Sequence, residues 1–333
     1  MDKLTKETSQ PSTKQAPQPR GQFGDLSAFA DSPTFSALLR GSACLRSDEL
    51  AEHLETLGLN YEVEGRLLRL GNPPTELDVA WLSEQLGVST VIQYDRVVDS
   101  TNRIALERSS TGTSCFIAEF QSGGRGRSGR KWISPYGDNL ALSVASVVDR
   151  SIASLGGLSL AIGFRMVEAL RAQTVESISL KWPNDLLLEG RKTAGILIEA
   201  DPLSAESTKL VVGVGINIGS FPQMDTIGQQ ATRIGRVSTL SREEIALVTI
   251  RAIDRAVKQF VMEGLSPIVE RWREVDAYEN QEVDLLIGEN RVTGRNVGIN
   301  HTGHLLIETP SGLREFSMGD VSLRPSVGEN ESK

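Results

Sequence analysis

The residues best suited to chemistry form one short run, from Gly124 to Trp132, in which three glycines are interspersed with four basic residues. Glycine has no side chain, so its backbone can approach a ligand closely and adopt positive φ angles. Arginine presents a planar fork of donors to phosphate or carboxylate, and an indole can stack on a flat ring. The run therefore predicts a loop that closes over an anionic ligand with an aromatic part.

A dinucleotide site is the main alternative for this run, because its glycines fit the spacing G-x-G-x-x-G. A strand-like segment over 115–120 precedes them, and Asp149 follows where an acidic ribose ligand could stand. That motif requires a helix that begins at its last glycine, so that the helix N-terminus holds the pyrophosphate. Pro135 and Gly137 would break such a helix at once, so the sequence disfavours this alternative.

Further motifs carry groups that bind or activate small molecules. Hydroxyl and carboxamide side chains supply matched donors and acceptors, and lysines neutralise anionic oxygens. Two motifs also have purely structural interpretations. Ser100 and Thr101 could do no more than cap a helix, and Lys181 and Asp185 could form a buried pair whose sole role is to stiffen a turn. In chain order, the motifs are Asp99-Ser-Thr-Asn102, Gln121, Lys181-Trp-Pro-Asn-Asp185, Arg191-Lys-Thr-Ala-Gly-Ile-Leu-Ile-Glu199 and Gly213-Val-Gly-Ile-Asn217.

These motifs fall within a segment, about 89–278, in which short turns join the predicted elements. Short connections favour antiparallel or mixed pairing over a doubly wound parallel sheet, so the fold class is α+β with a mixed sheet. The predicted strands are 90–98, 115–120, 139–148, 177–182, 194–200 and 209–218. The predicted helices are 102–107, 154–172, 241–262, which begins with a capping box, and one from Pro267 that carries Trp272.

The N-terminal part divides into a tail and a small module. Residues 1–30 are rich in Gln, Pro, Ser and Thr, which predicts disorder because little apolar surface is available to offset chain entropy. The segment 31–88 resembles a winged helix with one helix missing. Its predicted elements are helices over 34–39, 47–57 and 76–86 and a hairpin over 59–70 that turns at Glu64-Gly65.

The C-terminal part, 279–326, reads as short strands separated by turns. This spacing predicts a small SH3-like barrel, and the last residues, 327–333, are predicted to be disordered. The expected strands are 282–287, 291–299, 304–308 and 313–317.

Composition excludes several classes of protein. Among 333 residues, 39% are hydrophobic and the net charge is -8, which is typical of a globular protein and not of a general polyanion binder. No apolar run approaches the roughly 18 residues of a membrane span, and no signal peptide is evident, which predicts a cytoplasmic protein. Cys44 and Cys115 suggest no disulfide framework, and His301 and His304 lack partners for a metal site.

Taken in order, the motifs resemble those of biotin protein ligases over roughly 89–326. The bacterial bifunctional biotin ligase/biotin-operon repressor has the most similar architecture. The resemblance implies a catalytic domain related to class II aminoacyl-tRNA synthetases, followed by the SH3-like barrel. It also implies the activity of a biotin–[acetyl-CoA-carboxylase] ligase.

Such a ligase activates biotin with Mg-ATP, forming biotinyl-5′-AMP and pyrophosphate. A lysine of biotin carboxyl carrier protein then attacks this mixed anhydride. The resemblance therefore implies ATP and Mg²⁺ as cofactors, biotin as substrate and the carrier protein as partner. Members of the family often form homodimers, and the sequence neither predicts nor excludes one here.

Site residues follow from the matching motifs. The catalytic residues implied are Lys192, Arg127 and Asp185, of which Asp185 would steer the acceptor lysine and accept its proton. The biotin-binding residues implied are Ser100, Thr101, Asn102, Gln121, Gly124, Arg125, Gly126, Arg127, Lys192 and Gly195. The nucleotide-binding residues implied are Arg127, Arg130, Trp132, Asn184 and Asn217, and no metal-ligating residue is implied.

One departure and two rival functions accompany the resemblance. Family members often carry a second arginine directly after the position of Arg127, where this chain has Ser128. A lipoate ligase shares the catalytic fold, and Gln121 with the Gly–Arg run favours biotin. A DNA-binding repressor is disfavoured, because 31–88 holds ten acidic and four basic residues and duplex binding depends on cations.

Overall fold

The computed structural model describes residues 22–109, 112–173, 175–219, 231–318 and 321–326. The tails predicted to be disordered therefore lie outside the described residues at 1–21 and 327–333. The predicted tail is wrong over its last part, where Gln22–Ala30 is a helix. Leu26 and Ala30 on this helix are buried, and the polar composition of the preceding residues had obscured its apolar face.

The N-terminal module has two of its three predicted helices and the predicted hairpin, with one helix added in front. The hairpin turns at Gly65-Arg66, one residue beyond the predicted Glu64-Gly65, because Glu64 still pairs with Leu67 as the last residue of its strand. Ser47 caps the third helix by accepting a 3.1 Å hydrogen bond from Leu50 N. The three strands form a sheet in the order β1-β3-β2. The elements are α1 (Gln22–Ala30), α2 (Pro33–Leu39), β1 (Cys44–Leu45), α3 (Asp48–Thr56), β2 (Tyr61–Glu64) and β3 (Leu67–Leu70).

A seven-stranded sheet forms the centre of the chain and confirms the predicted α+β fold with a mixed sheet. Its strand order is β4-β5-β6-β10-β9-β8-β7, and only the β4–β5 pair is parallel. The elements are α4 (Val79–Leu86), β4 (Thr90–Val98), α5 (Thr101–Arg108), β5 (Thr113–Gln121), β6 (Leu140–Val148), α6 (Leu158–Arg171), β7 (Ile178–Lys181), β8 (Asp185–Leu188), β9 (Arg191–Pro202), β10 (Thr208–Ile216), α7 (Arg242–Glu263) and α8 (Ser266–Val269).

Helix α7 begins with the predicted capping box, in which Ser241 and Glu244 bond each other's backbone. Two predictions near these elements are wrong. Strand β8 was not predicted, because it is only four residues long and begins at Asp185, the last residue of the Lys-Trp-Pro-Asn-Asp motif. Helix α8 ends before Trp272, which lies instead in a 3₁₀ turn over Trp272–Glu274.

One segment, Ile152–Arg171, is long and apolar enough to cross a membrane by length and composition alone, so the expectation of no such run is wrong. It combines a 3₁₀ turn with helix α6. Helix α6 packs against α7 and the sheet, and Leu160 and Phe164 are fully buried there. Burial in the core of this domain accounts for its hydropathy.

The C-terminal part forms a five-stranded sheet, with every pair of neighbouring strands antiparallel and in the order β14-β13-β12-β11-β15. It continues the core of the central domain, and Trp182 Nε1 donates a 3.0 Å hydrogen bond to Gly303 O across the junction. The strands are β11 (Glu282–Ile287), β12 (Asn290–Ile299), β13 (Leu305–Thr309), β14 (Gly312–Phe316) and β15 (Val321–Pro325).

The predicted boundary at 88/89 is wrong, because α4 belongs with the central domain. Leu77 and Leu82 lie in its core, and Asp78 N donates a 3.0 Å hydrogen bond to Glu243 of α7. The buried carboxylate of Glu119 on β5 holds the residues just before α4 against the central domain. It accepts from Leu77 N at 2.7 Å and forms a 2.6 Å ion pair with Arg242.

We expect Glu119→Ala to lower the free energy of unfolding by about 3–5 kcal/mol, because it leaves the buried Arg242 guanidinium without its carboxylate. Urea unfolding followed by circular dichroism measures this loss. The matched control is Glu62→Ala, which removes the exposed Glu62–Arg69 pair and should cost no more than about 1 kcal/mol. Equal losses in the two variants would contradict the role of Glu119.

Candidate active site

The floor of the candidate site is formed by the backbone of glycines at the centre of the seven-stranded sheet. Gly195 of β9 pairs with Gly215 of β10, and Gly213 lies two residues before it on the same strand. A Cβ atom at Gly215 would lie 2.4 Å from the Trp132 ring, and one at Gly213 would lie 2.0 Å from Asn102 Oδ1. The absence of side chains therefore lets Trp132 and Asn102 rest directly on the sheet.

Over this floor, the Gly-Arg loop (residues 124–132) folds as a tight hairpin. Arg125 and Lys131 face each other in an antiparallel bridge, and a 3₁₀ turn over Arg127–Gly129 forms the tip. Ser128, at this tip, has a left-handed backbone with φ of 54°. Because no helix begins after the last glycine, the dinucleotide alternative is wrong.

Polar side chains form a wall at one end of the cleft. Thr101 donates to Gln121 Oε1 from both its backbone N at 2.8 Å and its hydroxyl at 3.1 Å. Ser100 stands at the N-cap position of α5, but its side chain accepts no capping hydrogen bond. The capping interpretation of this Ser-Thr pair is therefore wrong, and both side chains line the cleft.

A cluster of charges occupies the opposite side. Asp185 Oδ1 lies 2.6 Å from Lys192 Nζ, whereas Lys181 Nζ is 3.9 Å from Asp185 Oδ2. Burial lowers the pKa of Lys181 to about 8. Burial would raise the pKa of Asp185, but the ammonium groups of Lys192 and Lys181 outweigh it and hold that pKa below its usual range. Asp185 is thus a carboxylate at neutral pH, and its shorter contact is with Lys192.

Trp132 closes the cleft between the loop and this cluster. Lys192 Nζ lies 5.6 Å from the centre of its ring, within the range of a cation–π contact. The indole Nε1 is buried and has no hydrogen-bond partner among the described residues. Nearby, Arg127 donates a 3.3 Å hydrogen bond to Asn184 Oδ1, which fixes the loop to the Lys-Trp-Pro-Asn-Asp turn.

The structure brings nearly all the predicted site residues together in this one cleft. Two are outside its lining: Gly124, which pairs with Trp132 at the base of the loop through a 2.8 Å backbone bond, and Asn217, whose amide donates to Thr232 O at 3.3 Å. The predicted residues that line the cleft are Ser100, Thr101, Asn102, Gln121, Arg125, Gly126, Arg127, Arg130, Trp132, Asn184, Asp185, Lys192 and Gly195.

Several lining residues were not predicted, namely Lys131, Ile196, Leu197, Gly213, Val214 and Gly215. The alternation Gly213-Val-Gly215 on a predicted strand was an available signal, because residues two apart share one face of a sheet. Ser143 was also missed, and its hydroxyl is buried 2.8 Å from Thr101 Oγ1. No local pattern distinguishes it from the other small residues of β6.

Comparison with known proteins agrees with the geometry of the cleft. The model of the Biotin/lipoate A/B protein ligase family matches residues 94–217, and that of the biotin protein ligase C terminal domain matches 280–324. The chain is 36% identical over 282 residues to the bifunctional ligase/repressor BirA of Escherichia coli, covering 82% of this chain and 87% of that relative.

Two further relatives are similar. The biotin–[acetyl-CoA-carboxylase] ligase of Mycobacterium tuberculosis is 32% identical and covers 67% of this chain and 85% of its own length. The structure of biotin protein ligase from Aquifex aeolicus in complex with biotin and ATP superposes with a TM-score of 0.60 at 33% identity, covering 71% of this chain and 99% of that one. The identity to BirA extends over most of both proteins, so the chain belongs to the biotin protein ligase family.

Proposed function

We propose that this chain adenylates biotin with Mg-ATP and transfers it to a lysine of biotin carboxyl carrier protein. The observation that carries the proposal is the cleft itself, where the Thr101–Gln121 wall faces Lys192 and the Gly-Arg loop across a glycine floor. The wall suits a neutral polar ring, and the cations suit a carboxylate that reacts with a polyphosphate. Biotin likewise has a neutral, polar ureido ring at one end and a carboxylate at the other.

At the polar end, Ser100, Thr101 and Gln121 would bind the ureido ring of biotin. A buried ureido group needs both donors and acceptors, and hydroxyl and carboxamide groups offer both. Because Thr101 fixes Gln121 Oε1 by two hydrogen bonds, the Gln121 amide nitrogen remains available to donate to a ligand.

In the first step, a biotin carboxylate oxygen attacks the α-phosphorus of ATP and pyrophosphate leaves. Negative charge spreads over the phosphoryl oxygens, and Lys192 with Arg127 and Arg130 would neutralise it. Trp132 would close over the adenine, and its buried, unpartnered Nε1 is a donor ready for a ligand acceptor. Asn217 would act from the edge of the cleft, near the adenylate.

In the second step, the neutral acceptor amine attacks the carbonyl carbon of the mixed anhydride, the bond to the phosphate oxygen breaks and AMP leaves, and the proton released from the amine passes to water. The carboxylate of Asp185 is suited to attract an approaching ammonium group. A depressed pKa makes Asp185 a weak proton acceptor, so we infer that steering and holding Lys192 outweigh base catalysis in its role.

Mg²⁺ would bind as a complex with the triphosphate of ATP rather than to a dedicated set of protein side chains. Among the described residues, no group of three or more His, Cys, Asp or Glu side chains could hold a metal ion. Mg²⁺ at nucleotide sites takes many of its ligands from phosphate oxygens and water. Its charge would add to that of the loop cations as pyrophosphate forms.

The N-terminal module is proposed to brace the active site and not to bind operator DNA. A helix-turn-helix in a winged module of this kind needs two consecutive helices between its first strand and the wing. In this fully described segment only α3 lies between β1 and β2, because α1 and α2 both precede β1. Helix α3 is acidic in its first turn and carries no Lys or Arg. The module instead contacts Tyr136, just beyond the Gly-Arg loop, through a 2.9 Å bond from Tyr136 N to Leu57 O.

The five C-terminal strands are proposed to form an SH3-like barrel that supports the Lys-Trp-Pro-Asn-Asp turn. The support comes from the 3.0 Å bond between Trp182 Nε1 and Gly303 O. A cytoplasmic location stays a prediction, and a homodimer is suggested by the family resemblance alone.

The function is tested by incubating the protein with biotin, Mg-ATP and a carrier domain, then measuring intact mass. We expect one biotin to be added to a single carrier lysine and none without Mg-ATP. Lipoate in place of biotin is the control, because the matching family model includes lipoate ligases. Pyrophosphate release with lipoate and not with biotin would assign the chain to the rival ligase.

Lys192→Ala should slow adenylate formation by on the order of 10²–10³, because it removes one preorganised charge at the transition state. Pyrophosphate release under saturating biotin measures the first step, and transfer from supplied biotinyl-5′-AMP measures the second. Lys258→Ala is the matched control, because that lysine pairs with Asp254 on the solvent-exposed face of helix α7. Near-normal adenylate formation by Lys192→Ala would remove Lys192 from the reaction.

We expect no specific operator binding. A mobility shift at low salt, with biotin and ATP present and with DNA from upstream of biotin-synthesis genes, should show no sequence-specific complex. The E. coli ligase/repressor is the positive control. Retention that depends on two half-sites would overturn this expectation and restore the repressor interpretation.

A further inference from the structure

A chain of hydrogen bonds links the Gly-Arg loop to the polar wall, and it passes through Glu199. This residue lies on β9, two positions beyond Leu197, so its side chain shares the face of the sheet that carries the cleft. One carboxylate oxygen, Oε1, lies 3.3 Å from Arg125 Nη2 in the loop. The other, Oε2, accepts a 2.7 Å hydrogen bond from Asn102 Nδ2.

Asn102 is held on every side. Its amide nitrogen also donates to Leu197 O at 3.2 Å, and its carbonyl oxygen accepts a 2.6 Å bond from the buried Ser143 hydroxyl. Its Oδ1 lies against Gly213, where a Cβ atom would come within 2.0 Å. With only 4% of its surface exposed, this amide has its orientation fixed by Glu199 and Ser143 rather than by solvent.

From Asn102 the contacts continue to the wall that is proposed to bind the ureido ring. Thr101 precedes Asn102 on α5, and the Ser143 hydroxyl lies within 2.8 Å of Thr101 Oγ1. Thr101 in turn fixes Gln121. The carboxylate of Glu199 therefore contacts both the loop and this network.

We propose that Glu199 is a positioning residue that couples closure of the Gly-Arg loop to the orientation of the polar wall; this rests on the proposed biotin ligase function. Glu199 does not line the cleft, and it acts through Arg125 and Asn102. Its two oxygens have separable tasks. The Arg125 contact holds the loop over the adenylate, and the Asn102 contact holds α5 in place for biotin.

Two substitutions separate these tasks. Glu199→Gln keeps a carbonyl acceptor for Asn102 and removes the charge that attracts Arg125. We expect the KM for biotin to stay within about two-fold, and bound biotinyl-5′-AMP to dissociate about two- to five-fold faster, as for the loss of a partly exposed ion pair. Glu199→Ala removes both contacts and leaves one N–H of the buried Asn102 amide without its acceptor, so we expect the KM for biotin to rise about ten-fold or more.

Two further variants test the proposed coupling at Gly213, beside Asn102, and at Arg125, in the loop. Gly213→Ala should displace Asn102 without touching the Glu199–Arg125 pair, and we expect it to raise the KM for biotin and leave adenylate release less affected. It also keeps the wall half of the proposal testable if Glu199→Ala does not fold. Arg125→Gln combined with Glu199→Gln should release adenylate no faster than Arg125→Gln alone, because both remove the same contact.

The experiment measures pyrophosphate release against biotin concentration and the escape of labelled biotinyl-5′-AMP during a chase, with circular dichroism as a check of folding. Glu107→Gln is the matched control, because it removes an exposed carboxylate paired with Arg103 on the same helix as Asn102. A normal KM in folded Glu199→Ala, or additive effects of Glu199→Gln and Arg125→Gln, would overturn the proposal. Failure of the wild-type protein to form the adenylate would instead overturn the proposed function, and this inference with it.

Discussion

The site depends on a patch of sheet without side chains. Gly195, Gly213 and Gly215 clear the middle of β9 and β10, where ordinary strand residues would project into the space that Trp132 and Asn102 occupy. Glycine in a strand interior weakens the strand, since it contributes no packing. The seven-stranded sheet can tolerate this because its opposite face is buried against α6 and α7.

The charge of the cleft is opposite in sign to the net charge of the whole molecule. The net charge is -8, yet the cleft is lined by Arg125, Arg127, Arg130, Lys131 and Lys192, and Asp185 is the one acidic lining residue within the part of the chain that the structure describes. Self-repulsion among these cations is limited in two ways. The loop arginines are partly exposed, and Asp185 holds Lys192 close on the cleft wall. A polyanionic ligand would therefore gain most from the cations that the protein leaves near solvent.

Sequence reasoning succeeded where local chemistry dictates structure. Strand 90–98 and the capping box at Ser241 were predicted as observed, because the strand preference of β-branched residues and helix capping both act within a few residues. It failed where contacts between residues distant in the chain determine the local structure. Helix Gln22–Ala30 is ordered by packing on the module, and the Glu199–Asn102 bond joins residues far apart in the chain. The motifs identified the residues of the cleft but not the contacts that orient them.

The end of strand β5 explains why the N-terminal module and the active site form one mechanical unit. Three consecutive residues there serve three regions: Glu119 pairs with Arg242, Phe120 lies in the core of the module, and Gln121 lines the cleft. Successive side chains of a strand point to opposite faces, so a shift of Phe120 must move Gln121 through a single peptide unit. A module that shares its core with such a strand cannot reorient as an independent domain without disturbing the Thr101–Gln121 wall.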